Sequence, residues 1–170
     1  MNTTVLYNTV FEDEKYNARV DYKVKIVLDW IAYNNLSTLL DVGCGRGHYI
    51  KETGATGLEP SSLIAEQLKG DVINSDIQNL ETDRTWEGLY CMDVLEHISY
   101  DEIDSCLEKL KTLAPTALYG IANHSDIQKG VELHLIQEEP DWWLEKLRRV
   151  YKNVKLTYEP ARYMVIECSL

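Results

Sequence analysis

The chain has 170 residues, 45% of them hydrophobic, which is enough for one sizeable core and too little for two full domains. Its 28 acidic residues outnumber the 17 basic ones, and a formal net charge of -11 repels polyanions, so free nucleic acid is an unlikely partner. No stretch approaches the roughly 20 apolar residues of a membrane span, the N-terminus lacks a signal-like apolar run, and no Cys-x-x-Cys pair occurs. A cytoplasmic chain with four reduced cysteines (Cys44, Cys91, Cys106, Cys168) buried as small hydrophobes is expected, and no metal site is expected.

In chain order, a helix is predicted near Tyr22 to Tyr33, with Val24, Val27, Leu28 and Ile31 at helical spacing. The first strand is Thr38 to Gly43, and a helix opening at the glycine turn runs through Tyr49 and Ile50. A second strand, Thr56 to Glu59, leads through Pro60 to a helical run from Leu63 to Leu68, with Ser61 or Ser62 as N-cap. Asp71 to Asp76 is the third strand and Leu89 to Val94 the fourth. An amphipathic helix from Tyr100 to Leu113 follows, with Ile103, Cys106, Leu107 and Leu110 on one face and Pro115 as its stop.

Ala117 to Ala122 is the fifth strand. A polar loop from Asn123 to Glu132 separates it from a helix near Pro140 to Tyr151, in which one of Trp142 and Trp143 should face the core. The chain closes with Val154 to Tyr158 and Tyr163 to Cys168, which read as an antiparallel hairpin. Strands alternating with helices imply an α/β fold, a Rossmann-like doubly wound sheet of seven strands, mostly parallel with a C-terminal antiparallel hairpin. Residues 1–170 read as a single domain, with 1–35 as a helical lid and 36–170 as the core.

The chemistry concentrates at Asp41-Val42-Gly43-Cys44-Gly45-Arg46-Gly47, where bare backbone at the end of a strand can approach a nucleotide-type ligand. The dinucleotide fingerprint G-x-G-x-x-G would place glycine at His48, and the phosphate-cradling loop would end in Gly-Lys-Ser/Thr; neither holds. Asp41 would oppose a pyrophosphate but suits a ligand with an ammonium and a sulfonium, both of which S-adenosylmethionine carries. Asp41, Glu59, Asp76 and Asp93 each end a predicted strand, and parallel strands bring their carboxyl ends to one crevice.

The glycine turn resembles the first motif of the class I S-adenosylmethionine-dependent methyltransferases, and the resemblance extends over nearly the whole chain. It implies that Asp41, Gly43, Cys44, Gly45 and Gly47 form the cofactor turn. It further implies that Glu59, followed by Pro60, holds the ribose hydroxyls, that Asp76 receives the adenine amino group with the Ile77 backbone behind it, and that Asp93 and Val94 in Asp93-Val94-Leu95-Glu96-His97-Ile98 close on the methionine end. The implied activity is methyl transfer from S-adenosylmethionine.

Displacement at the sulfonium-bound methyl needs mainly an aligned acceptor, and a base only where the acceptor must lose a proton. His124, directly after strand five, is the better placed base, His134 the second; His97 lies in the cofactor segment and is read as hydrogen-bonding backbone. Tyr7, Phe11 and Tyr16 can form a lid, with Arg19 pairing the cofactor carboxylate, or pack on the sheet as an ordinary helix. With no Asp/Asn-Pro-Pro-Tyr after strand four and no Pro-Cys nucleophile, DNA bases are disfavoured, and a small molecule is the expected acceptor. A non-catalytic module that binds S-adenosylmethionine or S-adenosylhomocysteine is the alternative, and a nicotinamide oxidoreductase is opposed by His48 and by the terminal hairpin.

Overall fold

The structure, a computed structural model, describes residues 8–13, 20–68, 70–159 and 161–170. Its frame is a seven-stranded sheet built from β1 (Leu39–Val42), β2 (Thr56–Leu58), β3 (Val72–Ile73), β4 (Gly88–Met92), β5 (Thr116–Ala122), β8 (Asn153–Tyr158) and β9 (Tyr163–Ser169), in the order β3-β2-β1-β4-β5-β9-β8. The first five strands run parallel, and β9 inserts antiparallel between β5 and β8. This is the expected doubly wound sheet with its terminal antiparallel pair.

Strand alternation sorts the core into two layers, because successive side chains point to opposite faces. From β4, Leu89 and Cys91 join one cluster while Tyr90 and Met92 join the other; from β9, Met164 and Ile166 divide from Tyr163 and Val165 in the same way. Helix α1 (Asp21–Asn34) covers the second face through Val27 and Trp30. Helices α4 (Ile103–Leu113) and α5 (Pro140–Arg148) cover the first, with Ile103, Cys106, Leu107, Leu110 and Trp143 fully buried. At about 25 cal/mol per Å² of apolar area, each large side chain so buried contributes on the order of 2 kcal/mol. All four cysteines are buried and unpaired, as their apolar surroundings suggested.

Four elements differ from the sequence reading, each for a local reason. The helix after β1 does not open at the glycine turn: Gly43, Gly45 and Gly47 all have left-handed φ (70°, 50° and 70°), which no right-handed helix accommodates, so α2 starts only at Ile50–Thr53. The helix after β2 is a single turn, α3 (Ser62–Ala65), capped by Ser61, whose Oγ accepts the Ile64 N–H at 3.3 Å. β3 pairs at only two residues, because the Asn74 side chain donates to the Glu59 carbonyl at 2.8 Å and the chain turns at Ser75, whose N–H donates to the Ile73 carbonyl. The polar stretch after β5 contains a short hairpin, β6 (Ile127–Gln128) and β7 (Val131–Glu132), reversed at Lys129 and Gly130, both at positive φ.

Between β1 and β4 the strand order reverses: from β1 the chain builds outward through β2 and β3, then returns to lay β4 on the other side. In open α/β sheets the loops at such a reversal splay apart at the carboxyl ends, opening a crevice there. No helix among the described residues is long and apolar enough to cross a membrane.

Candidate functional site

The crevice holds a cavity of about 240 Å³, walled by the loops that follow β1, β2, β3 and β4 and closed at one end by residues 132–135. Gly43 and Gly45 form its floor. A Cβ on Gly43 would lie 2.4 Å from a methyl of Val94, so the turns after β1 and β4 are in van der Waals contact only because this residue has no side chain.

Glu59 stands on the wall with 2% of its surface exposed. Its carboxylate accepts the Gly45 N–H and the Ser61 N–H, each at 2.8 Å, so the acid that ends β2 ties the glycine turn to the cap of α3. Burial pushes its pKa up to about 6, against the two backbone hydrogen bonds that lower it. Each carboxylate oxygen retains acceptor capacity for a hydroxyl from the cavity. Pro60, Asp76, Ile77, Asp93 and Val94 line the same cavity. Asp76 is held by Asn79, whose backbone N–H and side-chain amide both donate to its Oδ1 at 2.8 Å.

Asp93 leaves β4 with φ at 59°, an uncommon conformation that Asp tolerates better than most residues, and this kink starts the 3-10 turn Leu95–His97. Its two carboxylate oxygens each lie 2.7 Å from the ammonium of Lys23, which also sits 4.0 Å above the ring of Tyr163. Lys23 thus brings a positive charge to the Asp93 edge of the crevice. Its signal in the sequence is faint: it shares the helical stripe of Val20, Val24, Val27 and Trp30, an unusual place for a lysine unless its head has a partner.

Other expected residues sit elsewhere. Asp41 is 1% exposed and lies beneath the turn, away from the cavity wall; burial first, then Glu59, push its carboxyl well above the usual range. Asp41 is expected against a cationic ligand, but it lies inside β1, opposite Tyr90 on β4, and is buried below the end of the strand that Gly43 leaves. Cys44 is buried, and Gly47 lines a separate pocket with Ile64 and Leu68. Tyr7, Tyr16 and Arg19 lie outside the described residues, whereas Phe11 is buried against the cavity.

Residues 8–13 are strapped over the crevice at three points. Asn8 accepts the Ser61 hydroxyl at 2.6 Å, Arg46 donates to the carbonyls of Phe11 and Asp13 at 3.0 Å, and Lys129 donates to the Thr9 carbonyl and the Glu12 carboxylate at 2.8 Å. One edge of the cavity is therefore roofed from the N-terminal segment.

At the far end, His97 is the imidazole on the wall, together with Ile98, Glu132, Leu133 and Leu135. Burial, and next the neighbouring His134, push its pKa down to about 4, so it is neutral at physiological pH. His134 lies behind it, 5% exposed, ring centroids 4.7 Å apart and edge-on. His124 is exposed and off the cavity wall; its Nδ1 meets the Ser125 carbonyl at 3.1 Å. The position after β5 does place His124 at the sheet edge, but the short β6–β7 hairpin carries the following chain inward and brings His134 to the interior instead. Glu132 fixes this loop, accepting the backbone N–H groups of Asp126 and His134 at 2.8 and 2.9 Å and the Ser125 hydroxyl. Trp143 is buried in the core, and Trp142 packs edge-on against it and Tyr100, away from the cavity.

No family model matches the chain. It is 26% identical over 123 residues to a ubiquinone biosynthesis O-methyltransferase of Rickettsia bellii, covering 63% of this chain and 51% of that protein. The corresponding protein of Rickettsia conorii is 24% identical over 155 residues, covering 81% and 53%. The chain thus spans about half the length of the curated relatives it matches. Among solved structures, the complex of DhpI with S-adenosylhomocysteine superposes at a TM-score of 0.78 with 13% identity, covering 97% of this chain and 94% of that one. A methyltransferase from Clostridium acetobutylicum gives 0.72 with 14% identity over 97% and 99%. The magnesium protoporphyrin IX methyltransferase of Synechocystis with bound S-adenosylhomocysteine gives 0.69 with 15% identity over 99% and 94%. The sheet order and its terminal antiparallel pair therefore belong to one known architecture: the chain has the class I S-adenosylmethionine-dependent methyltransferase fold.

Proposed function

We propose that the protein transfers a methyl group from S-adenosylmethionine to a small-molecule acceptor. The observation that carries this reading is the convergence of Gly43 and Gly45, Glu59, Asp76 with Ile77, and Asp93 with Val94 on one cavity at the carboxyl edge of the sheet. Glu59 is the group for the ribose hydroxyls, since its carboxylate is already oriented by the glycine turn and the Ser61 N–H. Asp76 and the Ile77 backbone serve the adenine, and the glycine turn with Asp93 serves the methionine end, where Lys23 provides a cation for a carboxylate. The cofactor brings an electrophilic methyl on sulfonium; the protein's task is to align an acceptor lone pair with it and exclude water.

The acceptor end in this reading is the wall of His97, Ile98, Leu133 and Leu135, an apolar surface with one neutral imidazole. A surface of that size and polarity suits a small organic molecule, in keeping with the names of a relative, a ubiquinone biosynthesis O-methyltransferase, and of a structural neighbour, a magnesium protoporphyrin IX methyltransferase. Residues 8–13 form a lid over the cofactor in this reading. Four buried, unpaired thiols fit a reducing, cytoplasmic setting.

Calorimetric titration with S-adenosylhomocysteine tests the cofactor half, and no saturable binding would refute the reading. Label transfer from S-adenosylmethionine into small-molecule extracts tests the enzyme against a binding module. Cofactor binding with no transferred label, in the presence of extract from the source cells, would favour the module.

A further inference from the structure

At the His97 wall, three side chains with metal-ligand atoms converge. Glu96 and His97 occupy consecutive positions of the turn after β4, and His134 reaches them from the loop after β7. One ligand-capable atom from each lies within 4.8 Å of the other two.

Two features mark this as more than chance packing. Glu96 is fully buried; one carboxylate oxygen accepts the Ala122 N–H at 2.9 Å, and the other is buried with no hydrogen-bond partner in the structure. An orphaned buried carboxylate oxygen is costly, and a native fold that keeps one calls for a group that satisfies it. The histidines, moreover, are held from behind by backbone. The Nδ1 of His134 lies 2.5 Å from the His124 carbonyl, which can only accept, so Nδ1 carries a proton and Nε2 is the nitrogen available to a metal, while the His97 ring hydrogen-bonds the Leu133 backbone. Carbonyls that fix the tautomer and tilt of an imidazole are the outer support that metal-binding histidines need. Asp126, whose Oδ2 lies 4.0 Å from His134 Nε2, adds negative charge beside the cluster.

We propose that Glu96, His97 and His134 form a divalent-metal site at the acceptor end of the cavity. Two imidazoles and one carboxylate make a donor set that suits zinc and leaves a fourth position open. Bonds of about 2.0–2.2 Å place neighbouring ligand atoms roughly 3–3.5 Å apart, so the cluster contracts by side-chain rotation as the ion enters. His97 stands on the cavity wall, which directs the open position toward the acceptor space, where it would take water or an oxygen-bearing acceptor. The metal site stands independently of methyl transfer; only the oxygen-bearing acceptor rests on that reading.

The test is titration of chelator-treated, full-length protein with Zn²⁺ by calorimetry and with Co²⁺ by visible ligand-field absorption. One equivalent should bind, and the Co²⁺ bands should report nitrogen and oxygen ligands. His134→Ala and Glu96→Gln should each weaken binding on the order of 100-fold, with far-ultraviolet circular dichroism unchanged without metal, whereas His48→Ala should bind as the wild type does. If His134→Ala does not fold, His134→Gln replaces it, and the wild-type titration decides in any case. Absence of saturable one-equivalent binding, or full binding in the folded Glu96 and His134 variants, overturns the site. A protein that binds Zn²⁺ but not S-adenosylhomocysteine would retain the site and lose the methyltransferase reading.

Discussion

The two ends of the cavity are built differently. The cofactor end is made of strand termini: Gly43, Glu59 and Asp93 each lie one residue beyond a parallel strand, and the register of the sheet sets their spacing. The acceptor end is made of loop: His97 sits in a 3-10 turn, and residues 132–135 are placed by a two-residue hairpin and by the hydrogen bonds of Glu132. A site supported by a sheet is rigid and repeated across a fold, whereas one supported by loops is free to vary, so chemistry common to a fold belongs at the first end and acceptor choice at the second.

Substitutions at the cofactor end should therefore act strongly and mainly on cofactor affinity. The largest effect is expected for Gly43→Ala, which combines left-handed strain with a Cβ 2.4 Å from Val94; S-adenosylhomocysteine affinity should fall on the order of 100-fold, checked by calorimetry. If affinity stays within a few-fold, the contact between the turns after β1 and β4 is not what shapes this end.

Glu59→Gln is next. It sets an amide against two backbone N–H donors and should cost about 2–3 kcal/mol of cofactor affinity. The same residue carries a pH signature. Its folded pKa of about 6 exceeds the ordinary 4.5, so the buried charge disfavours folding, and Glu59's contribution to stability is greatest below pH 4.5 and is lost as pH rises through 6. Ribose binding uses the ionised form and has the opposite dependence: affinity should be about tenfold lower at pH 5 than at pH 7, and flat in Glu59→Gln.

Lys23→Met should be milder. It removes a partner of Asp93 across a half-buried pair and should cost about 1 kcal/mol of stability, seen as a lower Tm, together with a several-fold loss of cofactor affinity. The smallest effect is expected for His124→Ala, whose ring is exposed and off the wall. Turnover and cofactor affinity should both stay within about twofold; a large fall in turnover with intact affinity would move the acceptor toward the β6–β7 hairpin and break the division drawn above.

Legibility in the sequence followed the same division. β4 and β5 were readable because they are nearly continuous apolar runs buried on both faces, β1 because Asp41 alone interrupts its run, and α4 because Ile103, Cys106, Leu107 and Leu110 keep helical spacing. Glu59 and Asp93 were readable because each directly follows a strand, and Asp76 because it follows β3 by three residues. β3 was overdrawn, since the polar Asn74, Ser75 and Asp76 that follow Ile73 turn away instead of pairing, and the β6–β7 hairpin went unseen because Ile127 and Val131 are exposed and two residues show no period.

What the sequence by itself determined is the sheet, its switch point and the acids along its carboxyl edge, because these depend on short-range alternation and on residues adjacent to their strands. Only the tertiary structure decided which acids face the cavity, since Asp41 lies inside β1 opposite Tyr90 and stays under the turn, whereas Glu59 lies beyond the end of β2 and reaches the cavity wall. It also decided that His134, and not His124, joins Glu96 and His97, because that meeting rests on a hairpin and on the hydrogen bonds of Glu132, contacts between residues that no local pattern connects.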